Sequence, residues 1–98
     1  MPHYSYVIKP HRENFVNTIT EEEASVVSEH FEYLKSLLET KELVMAGRTD
    51  GGEFGIAVFE CENLEHAKRL TENDPAIKKG VFIPQLYTFH IALFRDIK

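Results

Sequence analysis

The sequence predicts an α+β domain of the ferredoxin-like type, β-α-β-β-α-β, with a four-stranded antiparallel sheet. Three observations support this fold. A periodic helix begins at a capping box near Thr20, a glycine turn at 49–52 joins two extended segments, and a second capped helix precedes the last extended segment. Both helices of this fold cover the same face of the sheet. We expect residues 1–98 to form one domain, because a chain of this length supports one small core.

The first strand and the long helix follow from composition and periodicity. Residues 3–9 are rich in aromatic and β-branched side chains, which favours a strand up to the next proline. A polar segment, residues 10–20, follows, and its sequence does not predict its role. Thr20 and Glu23 form a capping box, and apolar residues at three- and four-residue steps extend the helix to about Thr40. These apolar residues are Ala24, Val27, Phe31, Leu34 and Leu38.

A β-hairpin is predicted in the middle of the chain. Leu43–Arg48 and Phe54–Glu60 are extended, with β-branched and aromatic residues. Gly51 and Gly52 lie between them and accept the positive φ that a tight hairpin requires.

A second helix and a last strand complete the order. Asn63 is a favourable N-cap for a short helix, and Asn73-Asp74-Pro75 breaks that helix. One further turn is expected at 76–79. Val81–Phe94 is the last extended segment, in which Pro84 indicates an edge position or a bulge.

The predicted sheet is apolar on both faces, although two helices can cover only one. In the third strand Phe54, Ile56 and Val58 alternate with Ala57, Phe59 and Cys61. The last strand has Tyr87, Phe89, Ile91 and Leu93 on one face and Leu86, Thr88, His90, Ala92 and Phe94 on the other. A sheet with one face in water alternates apolar with polar residues. We therefore expect a homodimer in which a second copy covers the free face.

Composition limits the other partners. The net charge is −5 and the basic residues do not cluster, which disfavours nucleic-acid binding. No apolar run reaches the ~18 residues of a membrane span, and no signal peptide is recognisable, so we expect a cytoplasmic protein. The histidines and the single cysteine lack the spacing of a metal site, and no metal or other cofactor is predicted.

The best acid/base pair that the sequence offers is His30 with Asp74. His30 lies beside the apolar stripe of the long helix, where it can reach both core and cleft. Imidazole exchanges protons near neutral pH, and a carboxylate orients and stabilises its charged form. Each residue also has a structural interpretation: a histidine at a helix edge, and an aspartate in an Asp-Pro turn. Tyr33 or Arg48 would contact an oxygen of the substrate.

Several short motifs together resemble the YCII-related (YciI-like) domain family over residues 4–94. They are His30-x-x-Tyr33-Leu34-x-x-Leu37, Leu43-Val44-x-Ala46-Gly47, Phe59-Glu60, Leu64-Glu65-x-Ala67, Asp74-Pro75 and Gly80. The resemblance implies a dimeric α+β barrel of ferredoxin-like subunits and an active site formed by a His–Asp pair, here His30 and Asp74. One departure is Lys41, where members often have glycine at the end of the first helix.

The resemblance also implies a class of reaction. A relative is a dehydrochlorinase that acts on a chlorinated hydroxyhydroquinone. The leading hypothesis is thus a cofactor-free lyase, isomerase or dehydrochlorinase that moves a proton on a small aromatic or enolisable substrate. Two alternatives stay open: a non-catalytic dimeric module that binds a small ligand or a protein, and a cofactor-independent monooxygenase.

Overall fold

The computed structural model describes residues 1–95, which form one open sheet with helices on one face. In chain order the elements are β1 (His3–Pro10), α1 (Phe15–Thr18), α2 (Glu21–Glu39), β2 (Leu43–Arg48), β3 (Gly55–Glu60), α3 (Leu64–Glu72), α4 (Pro75–Lys78) and β4 (Phe82–Phe89). The strands are antiparallel in the order β2-β3-β1-β4. The predicted α+β fold with a four-stranded antiparallel sheet is confirmed, and residues 96–98 of the predicted domain lie outside the described residues.

The structure differs from the prediction in two segments. The last strand ends at Phe89 rather than Phe94, because Phe89 pairs with His3 and β1 has no earlier residue to pair with. The segment 10–20, predicted as a loop, contains the short helix α1. Pro84 lies on β4, which is an edge strand of the sheet. A proline, which has no N–H, is tolerated on such a strand because one side of the strand has no neighbour to bond with.

Helix α2 begins as predicted but buries a different row of side chains. The hydroxyl of Thr20 accepts the Glu23 N–H, and the Glu23 carboxylate accepts the Thr20 N–H. Leu34 and Leu37 are buried, whereas Phe31 is 60% exposed and Leu38 is 52% exposed. Of the predicted stripe, Leu34 is buried and Val27 is partly buried, and the prediction was wrong for Ala24, Phe31 and Leu38, which are exposed. The sheet-facing row passes through His30, one turn before Leu34, which brings the histidine to the interior side of the helix.

The core lies between the helices and the sheet. Its largest fully buried side chains are Tyr6, Phe59, Asp74 and Cys61. The opposite face of the sheet has no helix, and five of its apolar side chains are between 37% and 53% exposed: Met45, Ile56, Ile83, Tyr87 and Phe89. In the described part of the chain, none of the helices has the length and apolar character needed to span a membrane.

Candidate active site

Asp74 is the centre of the candidate site, and the break between α3 and α4 sets its position. It is the N-cap of α4, where its Oδ1 accepts the N–H of Ala76 at 2.9 Å, and Pro75 occupies the first helical position. The side chain is fully buried. A carboxylate removed from water in this way needs several hydrogen-bond donors.

Two side chains from other elements supply those donors at the second oxygen of Asp74. Nδ1 of His30, from α2, lies 2.6 Å from Oδ2, and the Tyr6 hydroxyl, from β1, donates to the same Oδ2 at 2.8 Å. The structure thus brings together His30 and Asp74, which are 44 residues apart in sequence. With its proton on Nδ1, the His30 ring donates to the carboxylate and leaves the lone pair of Nε2 free.

Tyr6 is a site residue that the sequence did not reveal. It is fully buried, and burial, followed by the charge of Asp74, raises the pKa of its hydroxyl well above the ordinary value. Tyr6 therefore stays protonated and acts as a donor. The feature of the sequence that could have pointed to Tyr6 is a tyrosine at a core-facing position of a strand, because a buried phenol requires a hydrogen-bond partner. Sequence alone did not identify that partner.

A cavity of about 430 Å³ lies against the His30 ring. Its walls come from α2, the hairpin of β2 and β3, and the segment 10–20, and four of its lining residues are Phe15, Phe31, Phe54 and Phe82. The Phe82 ring meets the His30 ring edge to face, with 5.1 Å between the centroids. Within residues 1–95, Nε2 of His30 has no hydrogen-bond partner and is not fully buried, and His30 is one of the residues that line the cavity.

Arg48 provides the positive charge of the cavity. It ends β2 and is the only lysine or arginine that lines the cavity in the described part of the chain; no aspartate or glutamate there lines it. Its Nη1 donates to the backbone oxygens of Thr49 and Asp50 at 3.0 and 3.2 Å. These bonds hold the guanidinium beside the cavity, where it is suited to an anionic or electron-rich oxygen.

Tyr33 is placed differently from the prediction. Its hydroxyl donates to the backbone oxygen of Leu70 at 2.5 Å, and Tyr33 does not line the cavity. Burial raises the pKa of this hydroxyl to about 12. The position does not support the substrate contact expected of Tyr33, because its polar atom joins α2 to α3. We assign it a structural role.

The segment 10–20 forms the outer wall of the cavity through Phe15, Val16 and Ile19. Arg12 anchors this segment to α2, because its Nη2 donates to Glu23 Oε1 at 2.8 Å and to the Thr18 backbone oxygen at 2.7 Å. In the same range of residues, 1–95, no group of three His, Cys, Asp or Glu side chains is positioned to hold a metal ion.

Comparisons with known proteins support the fold. A family model described as YCII-related domain matches residues 4–89. Among solved structures, the chain is similar to 5-chloro-2-hydroxyhydroquinone dehydrochlorinase from Burkholderia phenoliruptrix AC1100 in complex with 2,5-dihydroxybenzoquinone. The TM-score is 0.65 at 18% identity, over 89% of this chain and 93% of that chain. A search of curated protein sequences gives no match. At this identity the structural similarity shows the fold alone.

Proposed function

Because the chain belongs to the family of YCII-related domains, we propose that it is an enzyme in which His30 and Asp74 transfer a proton on a small aromatic or enolisable substrate. The observation that carries the proposal is the 2.6 Å contact between His30 Nδ1 and Asp74 Oδ2, with the same His30 ring in the wall of an aromatic cavity. A buried carboxylate behind a histidine that faces a ligand-sized cavity is the arrangement of an oriented general base.

The proposed reaction begins with proton removal by His30. Nε2 takes a proton from a C–H or O–H group of the substrate, and Asp74 stabilises the imidazolium that forms. The electron pair of the broken bond moves into the conjugated system of the substrate. With a chlorinated hydroxyhydroquinone, His30 returns the proton to the ring carbon that bears chlorine, which gives a keto form. His30 then takes a second hydroxyl proton from this form, the new C=O and ring C=C bonds form as the C–Cl bond breaks, and a hydroxyquinone and HCl are the net products. Return of the proton to another carbon without loss of chloride completes an isomerisation. The Arg48 guanidinium is placed to stabilise negative charge that develops on a substrate oxygen.

The cavity supports a planar substrate. Phenylalanine rings form much of its wall, and aromatic side chains pack favourably against other rings. A volume of about 430 Å³ is within the usual range for small-molecule sites. No residue that lines it within 1–95 is acidic, so a phenolate or enolate meets no like charge there.

The proposal includes a homodimer. The free face of the sheet carries five half-exposed apolar side chains, Met45, Ile56, Ile83, Tyr87 and Phe89. Contiguous apolar surface of this kind is usually covered by a partner, and a second copy of the chain is the partner that every molecule in solution has available. The cytoplasmic location stays a prediction from the sequence.

Two probes test the proposed function, and both come from the similar structure. Binding of 2,5-dihydroxybenzoquinone is followed by NMR, and turnover of 5-chloro-2-hydroxyhydroquinone is followed by chloride release. We expect the wild-type protein to bind the first and release chloride from the second. The His30→Gln variant should keep binding but lose at least about 100-fold in turnover, because general base catalysis contributes that much.

The matched control is His66→Gln. His66 also lies 2.7 Å from a carboxylate, that of Glu42, but it does not line the cavity. Its variant should retain wild-type turnover. Binding without turnover in the wild-type protein would contradict the proposed enzyme and favour a non-catalytic module that binds a small ligand.

A further inference from the structure

The buried Tyr6 hydroxyl and His30 share one oxygen of Asp74. Oδ2 lies 2.8 Å from the Tyr6 hydroxyl and 2.6 Å from His30 Nδ1, while Oδ1 is occupied by the Ala76 N–H. The carboxylate is thus held from β1, from α2 and from the start of α4. Each additional donor on Oδ2 withdraws part of the negative charge that His30 would otherwise receive.

We propose that Tyr6 is a positioning residue: its hydroxyl fixes the orientation of the Asp74 carboxylate and weakens the hydrogen bond between Asp74 and His30. This inference rests on the proposed function, because it concerns the same His–Asp pair. Tyr6 does not line the cavity, so it has no direct access to a substrate. It acts through Asp74 and is not a catalytic residue.

Two features separate this role from ordinary core packing. The Tyr6 ring already has an apolar neighbour, Phe59, with 5.7 Å between the ring centroids. Packing alone would therefore be satisfied by phenylalanine. The hydroxyl adds a donor, and in a buried site a donor that shares the oxygen with His30 changes the strength of the His30 bond.

Tyr6→Phe tests the role, with Tyr4→Phe as its matched control. Tyr4 is on the same strand and the same face and is 5% exposed, but its hydroxyl does not contact Asp74. The first measurement is the NMR resonance of the His30 Nδ1 proton. We expect Tyr6→Phe to move this resonance downfield, because Oδ2 then accepts from His30 alone, and Tyr4→Phe to leave it in place.

A second measurement keeps the hydroxyl and covers the case in which Tyr6→Phe does not fold. Incorporation of 3-fluorotyrosine makes the Tyr6 hydroxyl a stronger donor, so the His30 Nδ1 proton should move upfield. A resonance that stays at its wild-type position in folded Tyr6→Phe, or that does not move with 3-fluorotyrosine, would overturn the proposal.

The activity readout separates this inference from the proposed function. With 5-chloro-2-hydroxyhydroquinone, Tyr6→Phe should lower kcat roughly tenfold and leave KM unchanged, because misplacement of a catalytic group slows the chemical step. A higher KM with an unchanged kcat would overturn the positioning role. Absence of chloride release in the wild-type protein would contradict the proposed function, whereas the resonance comparison would still decide the role of Tyr6.

Discussion

His30 Nδ1 and Asp74 Oδ2 lie 2.6 Å apart, although His30 belongs to α2 and Asp74 is the N-cap of α4. Asp74 is fully buried and His30 retains 12% of its side-chain exposure. The pair therefore joins the interior of the protein to the wall of the cavity. The aspartate has a second, structural function as the N-cap of α4, and the two functions make different predictions for mutants.

Asp74→Ala should destabilise the protein more than His30→Ala. Removal of the carboxylate leaves Tyr6, His30 and the Ala76 N–H without an acceptor, and we expect a loss of about 3–5 kcal/mol. His30→Ala removes one of three donors and should cost about 1–3 kcal/mol. Urea unfolding measures both values. Equal losses would mean that the contacts of Asp74 with Tyr6 and Ala76 contribute little to stability.

Gly52→Ala should disturb the outer wall of the cavity. Gly52 has a φ of +71°, and a Cβ there would lie 2.2 Å from Cγ2 of Val16. Gly80 has a φ of +72° with nothing within 4 Å of its Cβ position, so Gly80→Ala measures the backbone cost alone, about 1–2 kcal/mol. Gly52→Ala should cost about 1 kcal/mol more because of the clash. In a Val16→Ala background, where Cγ2 is absent, Gly52→Ala should cost no more than Gly80→Ala in thermal unfolding. If the additional cost of about 1 kcal/mol persists there, the clash with Val16 is not its cause.

Lys41→Gly should stabilise the protein. Lys41 has a φ of +68° and follows Thr40, the C-cap of α2. Its N–H donates to the Leu38 oxygen, and the Glu42 N–H donates to the Leu37 oxygen. This is a Schellman motif, which favours glycine at the residue with positive φ. We expect a gain of about 0.5–1 kcal/mol in the free energy of unfolding, after the larger chain entropy of glycine is subtracted. A lower denaturation midpoint in guanidinium would contradict the expectation.

Stability in acid should depend on Glu23. Hydrogen bonds from Arg12, then from the Thr20 N–H and His11, hold the pKa of its carboxyl well below the usual range. A carboxyl with a lowered pKa in the folded state stabilises the fold above its unfolded pKa of about 4.3, and this contribution is lost as the pH falls below that value. Glu23→Gln should therefore lower the melting temperature at pH 7, with a difference from wild type that shrinks by pH 2–3.

The control for Glu23 is Glu32→Gln, on the same helix. Glu32 is 69% exposed and its recorded ion pair is a 3.5 Å contact with Lys35. Exposed pairs of this kind contribute little, so the melting temperature should stay close to wild type at both pH values. A pH-independent difference for Glu23→Gln would show that the hydrogen bonds to Arg12 and Thr20 do not stabilise its charged form.

The proposed dimer should dissociate when a charge is placed on the free face of the sheet. Tyr87, 51% exposed, lies on that face, and Leu38, 52% exposed, lies on the outer side of α2. We expect wild type and Leu38→Asp to be dimers by light scattering at micromolar concentration, and Tyr87→Asp to be a monomer, because a buried unpaired charge is strongly unfavourable. A monomeric wild-type protein would exclude the dimer.

The local signals in the sequence predicted the elements of the fold well. The capping box at Thr20 and Glu23, the Asn63 cap and the glycine hairpin involve residues within a few positions of one another, and each lies where it was predicted. Of the two hairpin glycines only Gly52 has the expected positive φ, so the prediction was wrong for Gly51. The end of the last strand was not predictable in the same way. It depends on the length of β1, its partner, because a strand without a neighbour has no ladder bonds to make.

The amino-acid sequence by itself determined the long helix α2, the central hairpin, the cap of α3 and the apolar character of both sheet faces, and it offered His30 and Asp74 as an acid/base pair. Those features depend on periodicity, capping and the chemistry of single side chains. Only the tertiary structure decided that Tyr6 donates to the oxygen that His30 contacts, that Tyr33 faces Leu70, and that 10–20 closes a cavity. Contacts between residues tens of positions apart depend on how helices rotate against the sheet, and no local pattern specifies that rotation.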